Sequence, residues 1–373
     1  MYQPRFTYTN DIVKDLMLIE KSKVMVDILP IPVDVARSLR KEAHLKMTHY
    51  STRIEGNPLS LEQVSEIVQS RHEAARIRAE EEVRNYWDAL TFLDTARKLR
   101  VPITESFIQR LHAIIERSGA GRRVKQSTYR GPTPPGVLFA VYDTQSRQPD
   151  YIPPEWTDVP ELMKNFVEWV QVEQSLPVPI KAAIAAYQLL TIHPFEDGNG
   201  RTSRALATYI LSTGGYNLRG FNSMEEYYVS DLEGYYRNIQ MGLPVLYYDG
   251  RNHPPDLAPW IGYFTRIMGY AFERVASRAK QNSQPVVHPL VSKLEPNEIV
   301  LLRALLDRDG FIKPKEIADL FHVSPRTATN WAKRWLEKGL LSPAGGERRI
   351  TLYAVGSEYA GLSQSDLGYI MKD

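Results

Sequence analysis

Between His193 and Arg204 (HPFEDGNGRTSR) the chain sets an imidazole, the Asp197 carboxylate, two glycines flanking Asn199, and two guanidiniums, Arg201 and Arg204. These are the groups needed to handle a polyphosphate. Gly198 and Gly200 lack Cβ, so the main chain can curl into a concave nest of N–H donors that approaches a phosphate closely. Arg201 and Arg204, three residues apart, share nearly one face of a helix and can grip phosphate oxygens bidentately. His193 alone in the stretch has near-neutral basicity, which suits it to take a proton from a hydroxyl.

Two helices must position this loop. Pro179 to Ile192 is rich in Ala and Leu with a proline near its first turn, which predicts a buried helix. Arg201 to Ser212 predicts a second, stopped at Gly214-Gly215. The loop therefore opens onto a helix N-terminus, where free N–H groups and the positive dipole end attract anions.

The stretch matches the HxFx(D/E)GNGRxxR signature at every fixed position, and on it the chain resembles the Fic family over about residues 34 to 280. That resemblance implies a mainly α Fic bundle with a β-hairpin flap, and a protein adenylyltransferase using ATP and Mg²⁺. In it His193 would be the general base and Asp197 the metal ligand. Gly198, Asn199 and Gly200 would steady the phosphates, while Arg201 and Arg204 neutralise the pyrophosphate. Pro194 and Phe195 would be structural, and Glu196 exposed.

Ser51, Glu55 and Gly56 lie at the end of a helix expected from about Asp34 to Glu55. A carboxylate there opposes the helix dipole, so another interaction must favour it. The stretch resembles the (S/T)xxxE(G/N) inhibitory motif of Fic proteins, which implies that Glu55 pairs with Arg204 and takes the space of the ATP γ-phosphate. One carboxylate can mimic a pair of phosphate oxygens.

Other helices are expected from Asp11 to Leu29, after a Ser60–Gln63 capping box, from His72 to Arg100 with a solvated acidic run (Glu80, Glu81, Glu82), and from Thr104 to Ser118. Gly131 to Pro154 then reads as a hairpin, with one strand at Val137–Tyr142 and a turn at Asp143–Gln148. It resembles the Fic flap, which implies that a target segment binds along about 137–152 by strand-type hydrogen bonds. Trp156 to Gln174 and Glu225 to Ile239 are helical. The Fic resemblance implies that this region packs near the nucleotide base, which makes Tyr235 and Tyr236 candidates for stacking on adenine, with a place in the core at least as well supported. Leu257 to Ala276 closes the domain.

The expected organisation is a Fic domain over 1–285 with its motif core at about 104–240, a linker at 286–296, a winged-helix domain at 297–356 and a tail at 357–373. Helices at Asn297–Leu306 and Pro314–Phe321, a third opened by Ser324-Pro325 and ending near Gly339, and two strands around Ala344-Gly345-Gly346 predict a winged helix-turn-helix. Arg326, Thr327, Asn330, Lys333 and Arg334, with Arg348 and Arg349 in the wing, suit DNA, yet such units also bind proteins or dimerise.

With 373 residues, 43% of them hydrophobic, the chain can build two or three cored domains. Its net charge of +2 neither demands nor excludes nucleic acid. It has no cysteine, which removes disulfides and thiolate chemistry. With no leader-like start and no run of membrane-spanning length, a soluble cytoplasmic protein is expected. Self-modification and homodimerisation fit this reading. Three alternatives stay open: a DNA-binding regulator with a Fic-fold sensing domain, transfer of another phosphate-linked group, and removal of AMP with Glu55 orienting a water.

Overall fold

The computed structural model describes residues 2–70, 77–117, 126–142, 148–283, 290–345, 350–364 and 366–367. It divides into two compact units, Met1–Ser283 and Gln284–Asp373. In the first, α1 (Asn10–Ile28) begins where the Thr9 hydroxyl accepts from the Ile12 N–H, then α2 (Val33–Ile54) follows a Pro-containing corner. The helix α3 (Leu61–Gln69) opens on the expected capping box, Ser60 with Gln63. Next come α4 (Arg78–Lys98) and α5 (Glu105–Ile115), the latter capped by Thr104. Strands β1 (Val141–Tyr142) and β2 (Pro149–Tyr151) pair antiparallel, Val141 opposite Tyr151. After them run α6 (Val159–Val172), α7 (Val178–Ile192), α8 (Asn199–Thr213), α9 (Glu225–Ser230), α10 (Leu232–Gln240) and α11 (Ala258–Asn282).

The centre of this unit is the α7–α8 hairpin. Ile180, Ile184, Leu189 and Ile192 of α7 are fully buried, and burial of such side chains contributes roughly 1.5–3 kcal/mol each. Polar groups tie the pair to its surroundings: Ser203 Oγ donates to the Ala186 carbonyl at 2.9 Å, and Trp260 Nε1 to that of Ala183 at 2.7 Å. Around the outside, α1 lies along α11, with Ile12, Ile19 and Val26 buried on one stripe. A Cβ on Gly269 of α11 would come within 3.3 Å of Leu18, so a small residue there allows the approach.

Several expectations need correction. The strand expected over Val137–Tyr142 shrinks to two residues, because Pro134 and Gly136 form a turn that closes at Val137. The helix expected over Glu225–Ile239 is two, broken at Asp231, whose carboxylate caps the Gly234 N–H at 3.1 Å; Asp favours such an N-cap over a helix interior. The acidic run of α4 is not wholly solvated: Glu82 accepts from Asn57 at 2.9 Å and from Arg78 at 3.1 Å. Residues 71–76, the stop at Gly119 and most of the hairpin turn lie outside the described residues.

The second unit contains α12 (Pro296–Leu306), β3 (Phe311–Ile312), α13 (Pro314–Phe321), α14 (Pro325–Glu337), β4 (Leu341–Gly345) and β5 (Leu352–Val355). The strands order β3-β5-β4, all antiparallel. This is a winged helix-turn-helix, with Ser324 capping α14 through the Thr327 N–H at 3.1 Å. Its core takes in Val291 on one side and Tyr359, Leu362 and Leu367 on the other. Packing thus reaches into both the expected linker and the expected tail. Among the described residues no helix is long and apolar enough to cross a membrane.

Candidate active site

The loop between α7 and α8 is built from its own backbone outward. His193 caps α7 in the left-handed region, φ 50° and ψ 57°, a conformation that costs a non-glycine residue about 1–2 kcal/mol. Arg130 offsets that strain from outside. Its backbone N–H donates to the Pro194 carbonyl and its Nε to the His193 carbonyl, both at 2.9 Å, and its Nη2 to that of Pro154. The guanidinium also lies 4.6 Å from the centre of the Phe139 ring. One buried arginine therefore joins the loop to the base of the flap.

Phe195 anchors the loop as expected, 1% exposed and stacked on His112 at 3.7 Å. Since a carbonyl can only accept, His112 Nε2 carries the hydrogen it gives to the Asp197 carbonyl at 2.9 Å, and its Nδ1 accepts from Ser127 at 2.7 Å. Burial pushes its basicity down to about 4. Asn199 closes the loop on itself: its Oδ1 accepts from the Phe195 N–H at 3.0 Å and its Nδ2 donates to the Phe195 carbonyl at 2.9 Å. Asn199 thus offers a ligand only its backbone.

The chemistry-bearing groups sit on this frame. His193 Nδ1 lies 3.3 Å from the Leu190 carbonyl. That contact assigns the hydrogen to Nδ1 and leaves Nε2 with its lone pair. Burial, reinforced by the Arg130 charge, pushes His193 down to about 4, so the imidazole is neutral at physiological pH. Gly198 (φ 74°) is the N-cap of α8. Helix geometry leaves the N–H groups of Asn199, Gly200 and Arg201 without intrahelical acceptors, at the position where the sequence reading expects a nest. Asp197 Oδ1 accepts from the Gly198 N–H at 2.7 Å, while Oδ2 pairs with Arg78 at 3.0 Å.

Both arginines of α8 are buried, Arg201 to 3% exposure and Arg204 to 5%. Arg204 is held by Ser51 through Nε to Oγ and Nη2 to the carbonyl, both at 2.9 Å, and by Glu55 Oε1 at 2.7 Å. Desolvation is the largest single effect and opposes its charge, but Glu55 together with the Tyr235 and Tyr86 hydroxyls holds the guanidinium above its ordinary basicity. Glu55 is the C-cap of α2. The Gly56 N–H returns to the Arg53 carbonyl at 3.0 Å and the Asn57 N–H to that of Thr52 at 3.2 Å, the paired bonds of a Schellman stop that needs Gly56 left-handed at φ 88°. Ser51, Glu55 and Gly56 are thus brought to the nest by one helix end. Glu55 fits so closely that a Cβ on Gly200 would lie 2.2 Å from its Oε1.

Three partners escaped sequence reasoning. Arg130 and Arg78 carried no local signal, since each acts across a long sequence separation. Glu116, which pairs with Arg201 at 2.9 Å, had one: like Glu55, it is a carboxylate at a helix C-terminus. Of the two tyrosines, Tyr235 is 2% exposed, packs on Tyr228 and gives the site only its hydroxyl, 3.5 Å from Arg204 Nη1. Tyr236 is 43% exposed, its hydroxyl 3.4 Å from the Ile54 carbonyl, so it retains a ring face for a ligand.

Residues 102–211 match the family described as Fic/DOC, and residues 298–343 match the homeodomain-like domain. The chain is 28% identical over 270 residues to protein adenylyltransferase fic-1 of Caenorhabditis elegans, covering 70% of this chain and 47% of that protein. It is 32% identical over 184 residues to protein adenylyltransferase Fic of Drosophila grimshawi, covering 48% and 35% respectively. The chain thus spans less than half the length of these curated relatives. Among solved structures, a Fic family protein from Desulfovibrio desulfuricans superposes with a TM-score of 0.56 at 20% identity, covering 95% of this chain and 99% of that one. Fic-1 of C. elegans does so at 0.53 and 24% identity, covering 73% and 74%.

Proposed function

For a chain that carries a Fic/DOC domain and a homeodomain-like domain, we propose transfer of AMP from ATP to a Ser, Thr or Tyr hydroxyl of a target protein or of the chain itself, restrained by Glu55. One observation carries the reading: a neutral imidazole with a free Nε2 shares a loop with an anion nest whose arginines already hold carboxylates. A site that selects internal carboxylates so strongly is built for external anions.

In the reaction the target oxygen attacks the α-phosphorus, its proton passes to His193 Nε2, and the bond from the α-phosphorus to the bridging oxygen breaks. The pyrophosphate that leaves is neutralised by Arg201 and Arg204, once released from their carboxylates, and by the N–H groups opening α8. Arg130 fixes the carbonyl side of His193 so that the imidazole keeps its tautomer and direction. Tyr236 offers its ring to the base.

Among the described residues no cluster of three or more His, Cys, Asp or Glu makes a metal cage. Mg²⁺ needs none, since it binds through one or two carboxylates together with substrate phosphates and water. Asp197, its side chain 60% exposed beside the nest, fits that part. A bound Mg²⁺ would neutralise phosphate charge and polarise the reacting phosphoryl group.

The flap supports docking of an extended target segment: Val137 and Leu138, just before β1, and Val141 and Tyr142, which form it, are exposed apolar side chains. Strand-type pairing there would tolerate many target sequences. In the second unit Arg326, Asn330, Lys333 and Arg334 lie on the exposed side of α14, a basic face suited to duplex DNA; Arg348 and Arg349 lie outside the described residues. The test of the central reading uses ATP labelled at the α-phosphate. Glu55→Gly protein should acquire label, and His193→Ala added to it should abolish the label while ATP still binds. Labelling that survives loss of His193 would overturn the base assignment.

A further inference from the structure

The nest holds a second carboxylate. Glu116 is the C-cap of α5, and its Oε1 lies 2.9 Å from Arg201 Nη2. A Cβ on Gly198 would come within 2.4 Å of that same oxygen, as one on Gly200 would come within 2.2 Å of Glu55 Oε1. Each glycine of the loop is therefore covered by a carboxylate oxygen, and each oxygen belongs to a different arginine.

Helix electrostatics gives the two acids a common logic. Glu55 and Glu116 cap the C-termini of α2 and α5, where the carbonyl ends repel negative charge. Both are turned toward the N-terminus of α8, where the opposite end of a dipole and a buried guanidinium attract it. Neither position would favour an acid without that target.

The Glu116–Arg201 pair also lacks the bonding of a finished structural bridge. Arg201 Nε and Glu116 Oε1 are buried without a hydrogen-bond partner, so the contact balances charge and leaves directional bonding incomplete. A buried ion pair kept for stability requires its remaining donors and acceptors to be satisfied. Arg204 contrasts with it, using Nε, Nη1 and Nη2 on Ser51, Tyr235 and Glu55. A phosphate brings enough acceptor oxygens to meet Arg201 Nε as well as Nη2. Glu116 has a way out, since its side chain is 24% exposed while that of Arg201 is 3% exposed.

We propose that Glu116 is a second internal anion of the nest, standing to Arg201 as Glu55 stands to Arg204. An incoming ligand must displace both carboxylates, which selects ligands carrying adjoining phosphates over those with one. Glu116 is thereby a specificity-determining residue of the site, and the inference rests on the polyphosphate reading given above.

Calorimetric titration of the full chain with Mg·ATP and with AMP tests it, using wild type, Glu55→Gly, Glu116→Gln and the double variant. Glu116→Gln keeps the shape and removes the charge. It should tighten ATP about tenfold, leave AMP within about twofold, and multiply with the effect of Glu55→Gly, because the two acids hold different arginines. Unchanged or weaker ATP binding by Glu116→Gln would overturn the proposal and leave Glu116 as a support for Arg201. Should Glu116→Gln fail to fold, Glu116→Asp keeps the charge but shortens the reach. It should still tighten ATP, and failure to do so overturns the proposal equally. The outcomes separate from those of the parent reading: tightening without transfer of labelled AMP would remove the transferase and keep this inference, binding without tightening would remove this inference alone, and no ATP binding in any variant would remove both.

Discussion

Glu55→Gly removes the Arg204 contact through which Glu55 is proposed to restrain the site. The carboxylate reaches Arg204 at 2.7 Å across 149 residues of sequence, and the guanidinium it meets is 5% exposed. A hydrogen bond to a charged group contributes about 1.5–3 kcal/mol, and the one-third exposure of the Glu55 side chain places this pair toward the lower end of that range. Ser51 keeps two bonds to Arg204 after the change, so the arginine stays in place and becomes available. If ATP must first displace Glu55, the variant should bind ATP more tightly by a factor of roughly 10, rising to about 100 if the full range applies. The same loss lowers stability, since a glycine at the C-cap adds backbone freedom and the buried charge loses a partner. A melting temperature lower by a few degrees should therefore accompany the gain in affinity. Calorimetric titration with Mg·ATP and a thermal melt on the same preparation provide both readings. ATP affinity within twofold of wild type, with the melting temperature lowered, would refute the reasoning, because it would make Glu55 a structural partner of Arg204 with no hold on the ligand.

Arg130→Ala should cost about 2–4 kcal/mol, read as a shift of the denaturation midpoint, because it strips donors from the His193 and Pro154 carbonyls and the cation from the Phe139 ring; a neutral effect would show that the loop holds itself. His112 is pushed to about 4 in the fold against an ordinary value of 6.5, so the unfolded chain takes up the proton first and stability should decline as pH falls from about 6.5 toward 4. The contribution is on the order of 3 kcal/mol, and His112→Asn should flatten that part of a denaturation series across pH. Binding of duplex DNA should weaken as salt rises, and Arg334→Ala should lower the slope by about one if it meets a phosphate; no binding at low salt would turn the second unit toward a protein partner.

Much of this protein was legible along the chain because its chemistry is local. The stretch from His193 to Arg204 carries its histidine, glycines and arginines within twelve residues. Helix periodicity and cap residues located α7 and α8, the Ser60 capping box and the Ser324 start of α14. A carboxylate at the end of α2 signalled a distant partner, since its own helix disfavours it there.

Tertiary structure decided what each charge faces. Glu116 shares the misplaced-acid signal of Glu55, but only the approach of α5 to α8 names Arg201 as its target. Arg130 and Arg78 act across sequence separations that no periodicity encodes, and Tyr235 became a core residue because α10 presses its ring onto Tyr228. Short-range rules govern backbone dihedrals and caps, whereas desolvation and ion pairing depend on which surfaces meet. The residue types and spacing of the loop follow from the sequence alone; that Arg201 and Arg204 already hold two carboxylates is a property of the packed helices.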